Sequence, residues 1–116
     1  MTKRSVASIV AVFGVLAVPA AALGSEFSCK PDEVTVWKNR VHVRCTQSVK
    51  DGADAIRYWA VPTSETERAN RFLSTGDTAL VSGRSLYFNW TAGDKSGASF
   101  GCLAKDCRTP NSFALR

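Results

Sequence analysis

Hydrophobic and polar residues alternate in two neighbouring stretches, Val34-Thr35-Val36-Trp37 and Val41-His42-Val43-Arg44-Cys45, and a period of two marks half-buried strands. Lys38-Asn39 between them suits a two-residue turn, because Asn tolerates positive φ. Pairing Trp37 with Arg40 sets Val36 opposite Val41 and Val34 opposite Val43. The four valines then share the core face, and Trp37, His42 and Arg44 take the other. Gln47 to Ala55 is polar and carries the turn signal Asp51-Gly52. Ile56 to Val61 is rich in strand formers and predicts a third strand, ended by Pro62. The period then lengthens. Ser64-Glu65-Thr66-Glu67 reads as a capping box, and Ala69, Phe72, Leu73, Gly76, Ala79 and Leu80 form an apolar stripe at helical spacing. A helix is predicted over Glu65 to Ser82, capped by Gly83, with Phe72, Leu73 and Leu80 facing the core. Gly76 in the stripe has two readings, close approach to a sheet or a kink at Gly76-Asp77. Leu86 to Trp90 predicts a fourth strand and Ala98 to Cys102 a short fifth. Ser112 to Leu115 is a candidate for a last one.

The amino terminus follows a different pattern. Lys3 and Arg4 precede the apolar run Ile9 to Val18, then Pro19 and small residues to Gly24. This is the layout of a signal peptide, and the run is shorter than the roughly 20 apolar residues a membrane span needs. Residues 1–24 are read as a leader and 25–116 as one secreted or periplasmic domain. Removing 24 of 116 residues leaves 92, a size at which small domains are often stapled. Cys29, Cys45, Cys102 and Cys107 in an exported chain predict two disulfides. Proximity favours Cys29–Cys45, which closes a loop of about 15 residues worth roughly 3 kcal/mol, and Cys102–Cys107. A zinc site is the rival reading, but the chain has no C-x-x-C pair.

Strand, strand, strand, helix, strand, strand is the element order of an OB-fold, so the expectation is mainly β with one helix: a small OB-like barrel with two disulfides. An α+β sheet with the helix across one face has the same order. The segments Ile56-Arg57-Tyr58-Trp59-Ala60-Val61, Ala69-Asn70-Arg71-Phe72-Leu73-Ser74 and Ala79 to Leu86 resemble a pattern in small secreted bacterial proteins. The order is also similar to that of the B subunits of AB5-type toxins. That resemblance implies an OB-fold that binds glycans as a homo-oligomer, and it carries no site residue over to this chain.

Charge changes the picture little. The formal charge of +5 falls to +3 without Lys3 and Arg4, and the arginines are scattered, unlike the clustered basic residues of a nucleic-acid binder. No metal motif, phosphate loop or dinucleotide fingerprint is present, so no cofactor is expected. His42 is the one histidine, and no recognisable frame presents a serine to it. The aromatic residues say more. Alternation turns Trp37 away from the valines, and Tyr58 and Trp59 must point to opposite faces. The candidate binding surface is Trp37, His42, Arg44, Arg57, Trp59 and Tyr87. It suits a non-enzymatic module for a glycan or a protein, with self-association as a further mode. Ser96-Gly97-Ala98-Ser99-Phe100 is similar to the S-G-x-x-Y loop of bacterial lysozyme inhibitors, with Phe for Tyr. That likeness implies an inhibitor of a hydrolase as the alternative. Amino-terminal sequencing of exported material should read from near Leu23 or Ser25; retained Met1 would refute the leader.

Overall fold

The computed structural model describes residues 25–116, and the leader assigned to 1–24 lies outside the described residues. The order is β1 (Ser25–Cys29), β2 (Pro31–Val36), β3 (Arg40–Asp51), β4 (Asp54–Pro62), α1 (Thr66–Ser82), β5 (Leu86–Trp90), a 3-10 helix (Ser96–Phe100), β6 (Cys107–Arg108) and β7 (Ser112–Leu115). The fold is mainly β with one helix, but the strands do not close into a barrel. They form two open sheets, β1-β5-β7 and β2-β3-β4-β6. Closure fails because α1 carries the chain from β4 to β5, and β5 pairs with β1 and β7. The outer neighbour of β4 is the two-residue β6, running parallel.

The β2–β3 hairpin has the expected register, Val34 opposite Val43 and Val36 opposite Val41. The Trp37 N–H donates to the Arg40 carbonyl at 2.7 Å. Val36, last on an edge strand, is nonetheless exposed. β3 continues to Asp51 past an irregularity between Arg44 and Val49, so most of the expected polar loop is strand. Its polar side chains at Thr46 to Ser48 stay exposed where the β3–β4 ladder is interrupted, and the Thr46 N–H donates to the Lys30 carbonyl at 2.8 Å. The chain reverses at Gly52, where φ is +64°. β1 was not expected. It forms because Phe27 turns inward between Glu26 and Ser28 and stacks on Trp59, centroids 6.3 Å apart.

Trp59 sits at the centre of the core between the sheets. It stacks on Phe88 at 4.7 Å and meets Trp90 edge-on at 5.0 Å. It is fully buried, which removes it from the candidate binding surface: β4 must point one of Tyr58 and Trp59 inward, and the larger apolar ring takes that place. Helix α1 fills the same core through Ala69, Phe72, Gly76 and Ala79. Phe72 reaches Phe88 at 6.0 Å and Phe113 at 5.0 Å.

The capping box does not form. The Glu65 N–H closes a turn onto the Pro62 carbonyl at 3.1 Å, its carboxylate pairs with Arg68, and no side chain caps the helix. The helix is continuous through Gly76. A Cβ there would lie 3.1 Å from Val43 Cγ2 and 3.4 Å from Val34 Cγ2, so close approach explains this glycine. Leu80 is 38% exposed; it follows Ala79 by one residue, about 100° around the helix and off the stripe. Gly83 caps the end with φ +71°.

Both disulfides pair as spacing suggests, with Cα–Cα distances of 5.4 Å for Cys29–Cys45 and 5.1 Å for Cys102–Cys107. The first joins β1 of one sheet to β3 of the other. The second folds its loop over the outer face of the larger sheet, where Ala60, Tyr58 and Phe100 pack with it. The segment expected as a strand at Ala98 to Cys102 is instead 3-10 helix and turn. Buried Gly97 allows this, since a Cβ there would come within 2.8 Å of Cys102 Cβ and Thr109 Oγ1. No helix among the described residues is long and apolar enough to cross a membrane.

Arg108 is buried on β6, and four of its five donors are engaged. Nε donates to Asp51 at 2.6 Å and an Nη to Asp54 at 2.8 Å, while the Ala104 and Cys107 carbonyls take two more. Burial alone would raise the Asp51 pKa, but Arg108 and the Gly93 N–H outweigh it and hold the carboxyl below its ordinary 3.8. A depressed folded pKa contributes stability above the unfolded value, and that stability is lost as pH falls through the folded value. Chemical denaturation followed down from pH 5 should show stability dropping below pH 3.8. Arg108→Ala, which strands two carboxylates, should cost about 3–5 kcal/mol and reduce that dependence, leaving the part contributed by Glu33. Phe72→Ala should also cost about 3–5 kcal/mol. Arg71→Ala, on the exposed face, should cost about 0.5 kcal/mol or less, and equal thermal shifts for the two would contradict the buried stripe.

Candidate functional site

Trp59 facing inward fixes the parity of β4, so Tyr58 and Ala60 face outward. The register sets Arg44 beside Tyr58 and His42 beside Ala60. The outer face of the larger sheet therefore carries Arg40, His42 and Arg44 from β3, with Glu33 and Thr35 opposite Arg44 and His42 on β2. The disulfide loop covers part of this face and leaves the rest open.

His42 is not the surface strand residue that alternation suggested; it is 8% exposed, held under Trp37 and against Tyr58, ring centroids 6.0 and 5.2 Å away. The Trp37 indole Nε1–H donates to His42 Nδ1 at 3.2 Å. An indole can only donate, so Nδ1 carries the lone pair and Nε2 the proton. Nε2 then donates to Glu33 Oε2 at 2.8 Å. Thr35 donates to the same oxygen at 2.8 Å. The His42 and Thr35 hydrogen bonds hold the Glu33 carboxyl below the usual range. Arg44 joins Glu33 at 3.4 Å to Asp32 at 2.7 Å, and Asp32 reaches Arg57 at 3.5 Å. The Asp32 hydrogen bond raises the pKa of Arg44.

Trp37, His42, Arg44 and Arg57 thus belong to one chain of side chains across the face. Of the other two candidates, Trp59 is core, and Tyr87 lies on β5 of the smaller sheet. There the Glu26 carboxylate raises the Tyr87 pKa, and the Arg116 guanidinium sits 4.0 Å over its ring. Arg40, Glu33, Asp32 and Tyr58 were missing from the expected set. The signal for Arg40 was available in the sequence, since it shares the parity of His42 and Arg44.

Trp37 is 47% exposed, yet held from two sides: by the His42 hydrogen bond and by the Arg40 guanidinium, 4.9 Å from its centroid. It edges an open groove of about 970 Å³ between the Lys38-Asn39 turn, the Pro62–Glu65 turn and Ser99-Phe100. The first two walls are tied together, because the Thr63 N–H and hydroxyl donate to the Asn39 and Lys38 carbonyls at 3.0 and 2.9 Å. Beyond Arg40 lies a recess of about 220 Å³ that His42, Tyr58 and Asp106 also line. No cluster of side chains suited to hold a metal occurs among the described residues. No family model, curated protein or solved structure matches the chain.

Proposed function

We propose that this chain is an exported, non-enzymatic binding module whose recognition surface is the Trp37 groove, taking a glycan or a protein. The observation that carries the reading is an exposed tryptophan that is already immobilised. A large flat ring fixed before binding loses little entropy when it meets a ligand, and tryptophan is a preferred anchor for sugars and for partner side chains alike. His42 supports the non-enzymatic half of the reading. Its lone pair is engaged by the indole N–H and its proton by Glu33, so it has neither the free base nor the oriented nucleophile that acyl-transfer chemistry needs. The two disulfides are in keeping with an oxidising compartment.

Hydrolase inhibition is the second reading, favoured by one observation: Ser99 and Phe100 of the S-G-x-x-F segment line the same groove as Trp37. The two readings part in a simple pair of assays. Trp59 and Trp90 are buried, so a ligand-induced shift in fluorescence reports Trp37. Glycans retained on an array should shift the emission to the blue, and Trp37→Ala should weaken their binding by about 2 kcal/mol, roughly 30-fold. Stoichiometric loss of lysozyme activity, with no glycan retained, would favour the inhibitor. Binding that survives Trp37→Ala unchanged would exclude this groove.

A further inference from the structure

Resting on the reading of the Trp37 groove as the ligand site, we infer that its ligand is an acidic glycan: Arg40 binds a sugar carboxylate at the recess while a neighbouring ring lies on Trp37. The argument begins with charge. Arg44, Arg57, Arg68, Arg71 and Arg108 each meet a carboxylate within the fold. Arg40 meets none among the described residues; its one side-chain partner is the neutral Asn39 amide oxygen at 3.0 Å. Arg84 and Arg116 also lack a carboxylate, but they belong to the β5–β7 side of the molecule, where Arg84 donates to the Arg116 carbonyl. Arg40 is thus a guanidinium at the recess with no carboxylate partner among the described residues, and Lys38, which lines the groove, makes no ion pair among them either.

Two neighbours flank the Arg40 guanidinium. One side of the guanidinium lies over the Trp37 ring. The other lies against Gly101, where φ is +100° and a Cβ would sit 2.5 Å from the Arg40 Nη1. The glycine itself is required by its positive φ as the left-handed cap of the 3-10 helix, and it leaves the guanidinium in close contact with the backbone. A planar fork of donors fixed in this way suits bidentate binding of a carboxylate.

The recess selects among anions. At about 220 Å³ it has room for one sugar ring. Arg40 lines it together with Asp106, which makes no ion pair among the described residues. An anion is therefore directed to Arg40, and hydroxyls to the Asp106 acceptor, with Tyr58 beside them. A ring bearing one carboxylate and several hydroxyls satisfies both ends. A neutral sugar leaves Arg40 uncompensated. An acidic peptide supplies the carboxylate but lacks the row of hydroxyl donors that Asp106 accepts.

The test pairs each acid with its uncharged form. Tetragalacturonate and sialyllactose are titrated into the disulfide-bonded protein beside their methyl esters, by calorimetry and by Trp37 fluorescence. At least one acid should bind about tenfold or more tightly than its ester. That preference should shrink with added salt and vanish in Arg40→Gln, with the weaker ester binding left in place; Arg40→Lys should restore part of it. Equal affinity for acid and ester overturns the inference and leaves the binding-module reading intact. So does retention of a neutral glycan through Trp37 when neither acid binds. Tighter binding of tetraglutamate than of either acidic sugar overturns it in favour of a protein partner. No binding of any of these, with no array glycan retained, removes both readings together.

Discussion

The burial of Trp59 is the constraint on which the rest of this structure depends. Two open sheets share no hydrogen bonds, so only side chains between them can hold them together. One ring from β4 bridges them centrally, meeting Phe27 on β1 and Phe88 and Trp90 on β5. Its indole N–H is buried without a partner, a cost of about 1–3 kcal/mol. The aromatic surface removed from water outweighs that cost. The Cys29–Cys45 bond crosses the same divide and limits how far the sheets can separate in the unfolded chain. Because the strand period is two, the placement of Trp59 also decides what faces out. A one-residue slip of β4 would bury Tyr58 and expose the core tryptophan. The outer face with His42 and Arg40 is thus a consequence of the inner one.

Much of this was legible along the chain, because the signals were local. The valine alternation set the β2–β3 register to the residue, cysteine proximity gave both disulfides, and Gly83 ended the helix as its position implied. The failures share a different cause. A barrel and two open sheets can have the same element order, and they differ in which strand β5 pairs with, a long-range choice the local pattern does not carry. The capping box of Ser64 and Glu67 lost to a turn that draws Glu65 onto Pro62 and Arg68. The polar stretch from Gln47 to Ala55 carried a turn signal, yet strands β3 and β4 run through most of it, because exposed strand positions accept polar side chains.

The site was half legible for a related reason. Alternation assigned faces correctly, so Trp37, His42 and Arg44 were expected together and are found together. Alternation says nothing of what lies above a face. The disulfide loop covers the Ala60 end, and Trp37 folds back over His42, which is how an outward-pointing strand histidine becomes 8% exposed. For the same reason the sequence groups Trp59 and Tyr87 with residues on a face they do not share. One belongs to the opposite face of the same strand pair, the other to the opposite sheet.

The electrostatics of the two faces follow one logic with opposite results. At β6, where water is excluded, Arg108 is matched by two aspartates and two carbonyls, because a buried charge left short of partners would unfold so small a domain. Across the open face, Asp32 and Glu33 are matched by Arg44, Arg57 and His42. Folding stability needs no more than these pairs. Arg40 lies outside both sets: Glu33 pairs with Arg44, four residues and about 13 Å further along β3. Its guanidinium lies over Trp37 and against Gly101. An exposed tryptophan fixed at its edge by a histidine and on its face by an unpaired arginine adds little to the core. It leaves a flat apolar surface and a free cation side by side, the pair of features that a charged ring-bearing ligand requires.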